Sequence, residues 1–423
     1  MKGFLQGAGV AVLFFSCAAW LAPRAEAQVL RRDPAVQPED LDIDGRRYKP
    51  YGQVKLWLFR FHPFASLEAT WDDNIFLAPP YQQEDDFVFD TVLGARTDWR
   101  HGRHETLLGY QMKYRSYARH PEESTLEHRA SVSSHWNFDW FFFDAGDEFK
   151  HIKDPEPDAF DLLTERSEND AWVRGGLYQE RIGIELAYRM RWFDFVSRNL
   201  GTLDHNEHFA TLGAYYLLRE DSRVSQDLYA FLEFRYGAFR FRERYFSDSN
   251  QLAGTIGAKG TLFDKFAFSM KVGYIGLDPV GNGVPGSWDT DGFRGPTYEA
   301  SVVMLITEWQ KARIAAFRRL QYSLGSNFRV FDRLEGSYEH RFDNHVIQDL
   351  YVRPHVFLEH ADPSDSRSTT RMGTGLRLEY FLKDWFAAGA SWEFAMRTGR
   401  RDPALPSLNY RNHRIMFHVT LYL

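Results

Sequence analysis

Three short stretches hold residue types that could do chemistry. Trp71-Asp72-Asp73-Asn74 sets two carboxylates and an amide in a row, an oxygen set that suits a hard cation and equally suits the turns that Asp and Asn favour. Asp204-His205-Asn206-Glu207-His208 offers the imidazoles and carboxylate that zinc takes, but it reads as a loop with no second cluster to complete a site. Asp289-Thr290-Asp291-Gly292 begins like a calcium loop and lacks the distal bidentate glutamate. His345 and His418 are the histidines available for a hydrolytic triad, and strand register supplies neither with a serine. The residues point to no catalytic group, no metal and no cofactor, and an enzyme is not expected.

The elements that would position these residues follow from the chain's periodicity. Met1-Lys2 leads through an apolar stretch to Ala25-Glu26-Ala27, the small-x-small pattern of a secretory cleavage site, so residues 1–27 read as a signal peptide. The one cysteine, Cys17, lies in that leader behind Phe14-Phe15-Ser16, a poor context for lipidation, and the exported chain has no disulfide framework. Residues 28–60, with the charged run from Arg31 to Pro50, read as a periplasmic tail. Removing Lys2, Arg24 and Glu26 takes the formal charge from −7 to −8. So mild an acidity points to neither nucleic acid nor an anionic surface as partner.

Residues 61–423 carry a period of two in segments of about ten residues, the pattern of transmembrane strands. Ile182, Ile184, Leu186, Tyr188, Met190 and Trp192 point one way, while Gly183, Glu185, Ala187, Arg189 and Arg191 point the other. The split recurs at 227–238 and 371–380, and in the last strand through Ile415, Phe417, Val419, Leu421 and Leu423. Aromatic residues at 16% suit girdles at the membrane interfaces. No stretch after the leader approaches the roughly 20 apolar residues of a membrane helix. Nine longer loops alternate with eight short turns, and residues 310–328 alternate weakly. The expected fold is all-β, a transmembrane antiparallel up-and-down barrel of about 18 strands in the outer membrane of a Gram-negative bacterium. Short turns and both termini would face the periplasm, and the insertion machinery and outer-membrane lipid would be its partners.

If the apolar set faces lipid, the other set lines the lumen. The candidates for that lining are Arg115, Glu185, Arg189, Arg191, Tyr229, Glu233, Arg235, Glu335, Tyr351, Arg353, Arg371, Arg377 and Glu379. Their mixed sign favours ion pairs between strands over a ring of one charge. Inward aromatics, with Tyr117, Tyr178, Phe231 and Phe357 joining Tyr229 and Tyr351, leave open a second reading, a track for sugar rings.

The stretch from Phe59 to Phe76, followed by Asp85 to Asp90, resembles the opening of the β-barrel porin-2 family. There a proline-containing strand leads to an aromatic-Asp-Asp-Asn-Ile-Phe corner and then an acidic residue. Matching positions are Pro63, Trp71, Asp72, Asp73, Asn74, Ile75, Phe76, Asp86 and Phe87, with Trp71 where members commonly have Tyr. Several relatives look like outer-membrane components of exopolysaccharide or capsule secretion. The resemblance therefore implies a conduit for polysaccharide working with a periplasmic polysaccharide-export protein. The alternatives are a general diffusion porin for small solutes and a structural or adhesive surface barrel; fold alone does not choose among them.

Overall fold

A strand with one oily and one wet face can sit in hydrocarbon only if every backbone amide is paired, which a sheet achieves by rolling shut. The computed structural model does so with eighteen strands. It describes residues 54–56, 59–155, 163–196, 203–219, 228–242, 247–262, 265–280, 292–323, 326–342, 349–363, 368–383, 385–399 and 409–422. The expected signal peptide with Cys17, most of the expected tail, Asp289 to Asp291 and His345 lie outside the described residues.

A three-residue strand, β1 (Val54–Leu56), precedes the barrel strands β2 (Phe59–Asp72), β3 (Asp86–His101), β4 (His104–Tyr117), β5 (Thr125–Asn137), β6 (Phe141–Pro155) and β7 (Leu163–Gln179). There follow β8 (Ile182–Phe195), β9 (His205–Arg219), β10 (Leu228–Phe241), β11 (Asp248–Leu262), β12 (Phe266–Val280) and β13 (Phe293–Thr307). The circuit is completed by β14 (Gln310–Ser323), β15 (Ser326–Phe342), β16 (Leu350–Pro363), β17 (Thr369–Lys383), β18 (Phe386–Gly399) and β19 (Tyr410–Tyr422). Each strand pairs antiparallel with the next, and β19 returns to β2, closing the cylinder. The strands thus begin at Val54, inside the stretch expected as tail.

The seam between β19 and β2 runs from Arg414 opposite Asp72 to Tyr422 opposite Phe64. Below it, β1 takes the same edge of β2, with Val54 opposite Phe61 and Leu56 opposite Phe59. Among the described residues, two-residue turns close the inner end between β3 and β4, β7 and β8, and β13 and β14; Gly102, at φ 60°, turns β3 into β4 in a conformation that costs glycine little. The outer face presents exposed apolar residues, among them Leu67, Leu93, Ile184, Leu212, Ile256, Val272 and Val356.

Two expectations about the strands change. Where a longer loop was expected from Ser323 to Asn327, β14 runs to Ser323 and β15 begins at Ser326, and these two residues pair. The weak alternation of 310–328 belongs to a regular strand in which consecutive arginines turn opposite ways. Arg318 reaches Asp332 at 3.7 Å on the outer side, and Arg319 reaches Glu299 at 3.0 Å in the lumen.

Candidate functional site

The lumen wall is built by register. Arg115, Glu185, Arg189, Arg191, Tyr229, Glu233, Arg235, Glu335, Tyr351, Arg353, Arg371, Arg377 and Glu379 all occupy strand positions out of phase with the exposed apolar belt, and their side chains turn inward. Because β3 sets Asp90 opposite Arg115, the two form a bidentate pair, both bonds at 3.0 Å. The chain of charges continues to Glu127, which takes Arg115 at 3.5 Å and Lys113 at 2.5 Å. Further round, Arg174 pairs with Asp144, Arg189 with Asp170, and Arg191 with Glu207 at 2.5 Å. On the far side Lys271 bridges Glu233 and Glu299, and Arg353 bridges Glu339 at 2.5 Å and Glu379 at 2.7 Å.

These pairs brace the wall at two depths: Asp90, Glu127, Asp144 and Glu207 are buried, whereas the side chains of Arg129, Arg189, Arg319 and Arg377 stay 57%, 53%, 50% and 46% exposed. The exposed pairs contribute little to stability, about 0–1 kcal/mol, and their larger effect is to present hydrated, opposed charges to the lumen. Arg235 makes no ion pair among the described residues and lies over the Phe209 ring at 5.7 Å, next to Arg191 at 5.3 Å. The sequence reading missed the aspartates of this lattice, Asp90, Asp144 and Asp170. They sit at the same inward phase as the residues it did find.

The inward aromatics do not stand out from the wall. Phe231 lies against Gly257 and Phe357 against Gly373, so closely that a Cβ on either glycine would fall 2.5 Å or less from a ring carbon. Tyr178 covers Gly183 in the same way and donates its hydroxyl to Glu185. Arg333 and Arg371 cap the Phe357 ring at 4.9 and 5.2 Å, and Arg353 caps Tyr351 at 5.0 Å. Tyr117, Tyr229, Phe231 and Tyr351 are buried. The rings fill notches left by glycine across the strand and offer no continuous platform for sugars.

Two segments fold over the outer mouth. Phe328 and Val330 of β15 pack on Phe239 of β10 and Leu277 of β12, with Phe293 and Leu320 against them. Phe239 and Leu277 point into the lumen, so the outer end of β15, from Phe328 to Val330, leans across the opening. On the other side Ile75 packs on the inward residues Val88 and Tyr117, with Phe76 against the cluster.

The Trp71-Asp72-Asp73-Asn74 stretch is a corner that ties the first barrel strand to the last. Asp72 accepts hydrogen bonds from the Asn74 amide at 3.0 Å, from Asn412 at 2.5 Å and from Arg414 at 2.9 Å. Asp73 accepts from the His413 amide at 2.6 Å, and buried Asn74 donates to the carbonyls of Ala78 and Arg411, both at 2.8 Å. Trp71 lies on the lipid side opposite Ile415. The Asp204–His208 stretch, expected as a loop, starts β9: His205 and Glu207 turn inward and His208 outward, because period-two phase divides the cluster. His418 faces Glu68 across the seam, its ring filling the space over Gly389. Among the described residues no group of three or more His, Cys, Asp and Glu is arranged to hold a metal.

Neither a family model nor a curated protein matches the sequence. Solved outer-membrane barrels are similar in architecture. OpdK of Pseudomonas aeruginosa, solved with vanillate, is 9% identical over 86% of this chain and 99% of its own, with a TM-score of 0.47. OccK2 (OpdF) of the same organism, in complex with glucuronate, is 9% identical over 86% and 98%, also at 0.47. OccAB3 of Acinetobacter baumannii is 10% identical over 86% and 99%, at 0.46.

The expectation of polysaccharide export is corrected here. Among the similar barrels, OpdK is described with vanillate and OccK2 with glucuronate, and one of Pseudomonas fluorescens is described as a BenF-like porin, small-molecule channels and not polymer exporters. The resemblance that implied export rested mainly on the Trp71–Phe76 corner, where Asp72, Asp73 and Asn74 tie the first barrel strand to the last. The polysaccharide substrate and the periplasmic export partner were implied by that resemblance alone and fall with it. The closed eighteen-stranded cylinder with its apolar belt is a barrel of the Gram-negative outer membrane.

Proposed function

We propose that this barrel is a passive diffusion channel for small hydrophilic solutes. The observation that carries the reading is the inner wall, where ion-paired arginines, Arg129, Arg189, Arg319 and Arg377, keep about half of their side chains in water around a closed cylinder. An eighteen-stranded barrel is wide enough for an aqueous lumen. Opposed charges such as Arg353 between Glu339 and Glu379 interact with polar solutes at many weak positions, so a solute passes without meeting a deep well. The outer end of β15 and the corner around Ile75 narrow the outer mouth, which favours small solutes over a polymer.

Purified full-length protein reconstituted alone tests this. Stable unitary conductance in planar bilayers, and liposome swelling that falls steeply with solute size, are the expected results. Bilayers that stay silent and liposomes that admit no sugar or amino acid would overturn the reading.

A further inference from the structure

Ion pairs within the wall largely cancel at a distance, so a solute in the lumen responds most to charges that have no partner. Glu68, Arg235 and Glu393 turn inward and, among the described residues, make neither an ion pair nor a hydrogen bond. Arg235 and Glu393 are exposed, and Glu68 is half-buried. Neighbouring charges do not neutralise them. Arg191 and Arg319, near Arg235, hold Glu207 and Glu299. Glu233, two positions below Arg235, is taken by Lys271 and by the Tyr215 hydroxyl. Arg414, opposite Glu393, holds Asp72. Lys113, Arg115 and Arg377, the cations around Glu68, hold Glu127, Asp90 and Glu379.

The three charges are placed across the lumen from one another. Arg235 stands seven residues above Leu228 and six below Phe241 in β10, and Glu393 stands seven above Phe386 and six below Gly399 in β18. Two strands of equal length that run the same way thus carry opposite charges at the same height. Glu68 of β2 stands nine residues above Phe59, about 5 Å higher at about 2.5 Å of climb per residue. β2 and β18 flank β19, and each lies eight strands from β10 round a ring of eighteen. Both carboxylates therefore share one wall, and the guanidinium occupies the wall that faces them.

On the premise that the barrel is a diffusion channel, we infer that Glu68, Glu393 and Arg235 set a transverse field that favours zwitterionic solutes, such as free amino acids, over neutral ones of the same size. A zwitterion that turns its ammonium group toward β2 and β18 and its carboxylate toward β10 is stabilised at both ends. A neutral polyol gains nothing from either orientation, and a solute of one sign is drawn to one wall and repelled by the other. The low-dielectric barrel concentrates the field in the water between the walls. Salt sets its reach: the screening length is roughly 30 Å at 0.01 M and roughly 3 Å at 1 M, so the preference belongs to dilute media.

Swelling of liposomes that contain the full-length protein tests this with serine and erythritol, which are similar in size and differ in charge. In low salt the parent should admit serine about threefold faster, a modest ratio because each end meets its fixed charge through water. Arg235→Gln should bring the ratio close to one, and so should Glu393→Gln combined with Glu68→Gln. Arg235→Glu combined with Glu393→Arg and Glu68→Gln reverses the field and should restore the preference, since a zwitterion simply turns round. Equal KCl at about 1 M on both faces, where charges are screened within roughly 3 Å, should abolish it. Heat-modifiable gel mobility identifies the variants that fold, and the Gln variants carry the test if the reversed one does not. A parent ratio of one, a ratio indifferent to the Gln substitutions, or a folded reversed variant without the preference would overturn the inference and leave the channel standing. Liposomes that admit neither solute would overturn both.

Discussion

The carboxylate of Asp72, at the outer end of the first barrel strand, receives the guanidinium of Arg414, in the last, at 2.9 Å across 342 positions of sequence. Asp72 is buried and Asn412 binds its other oxygen, so the contact closes the cylinder where its ends meet. Asp72→Ala leaves Asn412 and the Asn74 amide without their acceptor, and should cost about 1–3 kcal/mol. Asp72→Asn keeps one carbonyl acceptor and should cost less. Unfolding in detergent, followed by the loss of heat-modifiable gel mobility, reads the difference. Single-channel conductance of the folded Asp72→Asn fraction should match the parent, since the corner lies outside the ion-paired wall.

Arg353 holds two carboxylates at once, Glu339 at 2.5 Å and Glu379 at 2.7 Å. Arg353→Ala leaves both facing the lumen and should shift the channel toward cations. Glu379→Gln removes one negative charge and should shift it the other way. Reversal potentials under a salt gradient measure both. A common direction for the two variants would contradict the assignment of these residues to the solute path.

The outer end of β15 is anchored over the mouth by Phe328 and Val330 on Phe239 and Leu277. Phe328→Ala with Val330→Ala should release it while leaving the wall pairs in place. Unitary conductance should rise and become noisier, and larger sugars should enter liposomes. The stability loss should stay below the roughly 3–5 kcal/mol of a deep Phe→Ala change, because the cluster lies at the rim.

His120, in the loop between β4 and β5, bridges Asp86 at 2.9 Å and Glu84 at 2.6 Å. The hydrogen bond to Asp86 foremost, with Glu84 adding to it against the opposing effect of burial, raises its pKa above the ordinary histidine range. A raised folded-state pKa means the stabilisation is fully present below the unfolded histidine value of about 6.5. It disappears as pH climbs through the raised value. Melting of the parent and of His120→Ala should therefore differ most in mildly acidic buffer and converge in alkaline buffer. A constant gap across that range would contradict the charged bridge.

Period two was enough to place the wall. Arg189, Arg191, Glu233 and Arg353 are inward for the same reason that Ile184 and Phe234 are outward, and no distant information is needed to see it. What escaped was whatever depends on register between strands. The partners of Asp72, Asn412 and Arg414, lie at the other end of the chain and give no local signal. Phe357 reads as an inward ring available to a sugar until pairing sets Gly373 opposite it and the ring lies down. The stretch from Ser323 to Ser326 reads as a loop because its glycine and serines are turn formers, and the inward lean of β15 depends on Phe239 and Leu277, far away in sequence. Cargo was illegible for a related reason: the stretch that carried a family resemblance serves closure.

β1 gives that closure an end-stop. It occupies the edge of β2 opposite Phe59 to Phe61, in line with β19 and just past Tyr422. It is a few residues from its partner in sequence, whereas β19 must cross nearly the whole chain to reach the same edge, so the local pairing forms first. When the last strand arrives, the edge is open above Phe64 and already taken below. A slip of β19 by four residues toward the periplasm would preserve every inward and outward side chain, is invisible to hydrophobic patterning, and would carry Tyr422 to Arg60, where Lys55 of β1 already pairs. The small strand bars that slip, and the barrel's shear is thereby set at its first three residues.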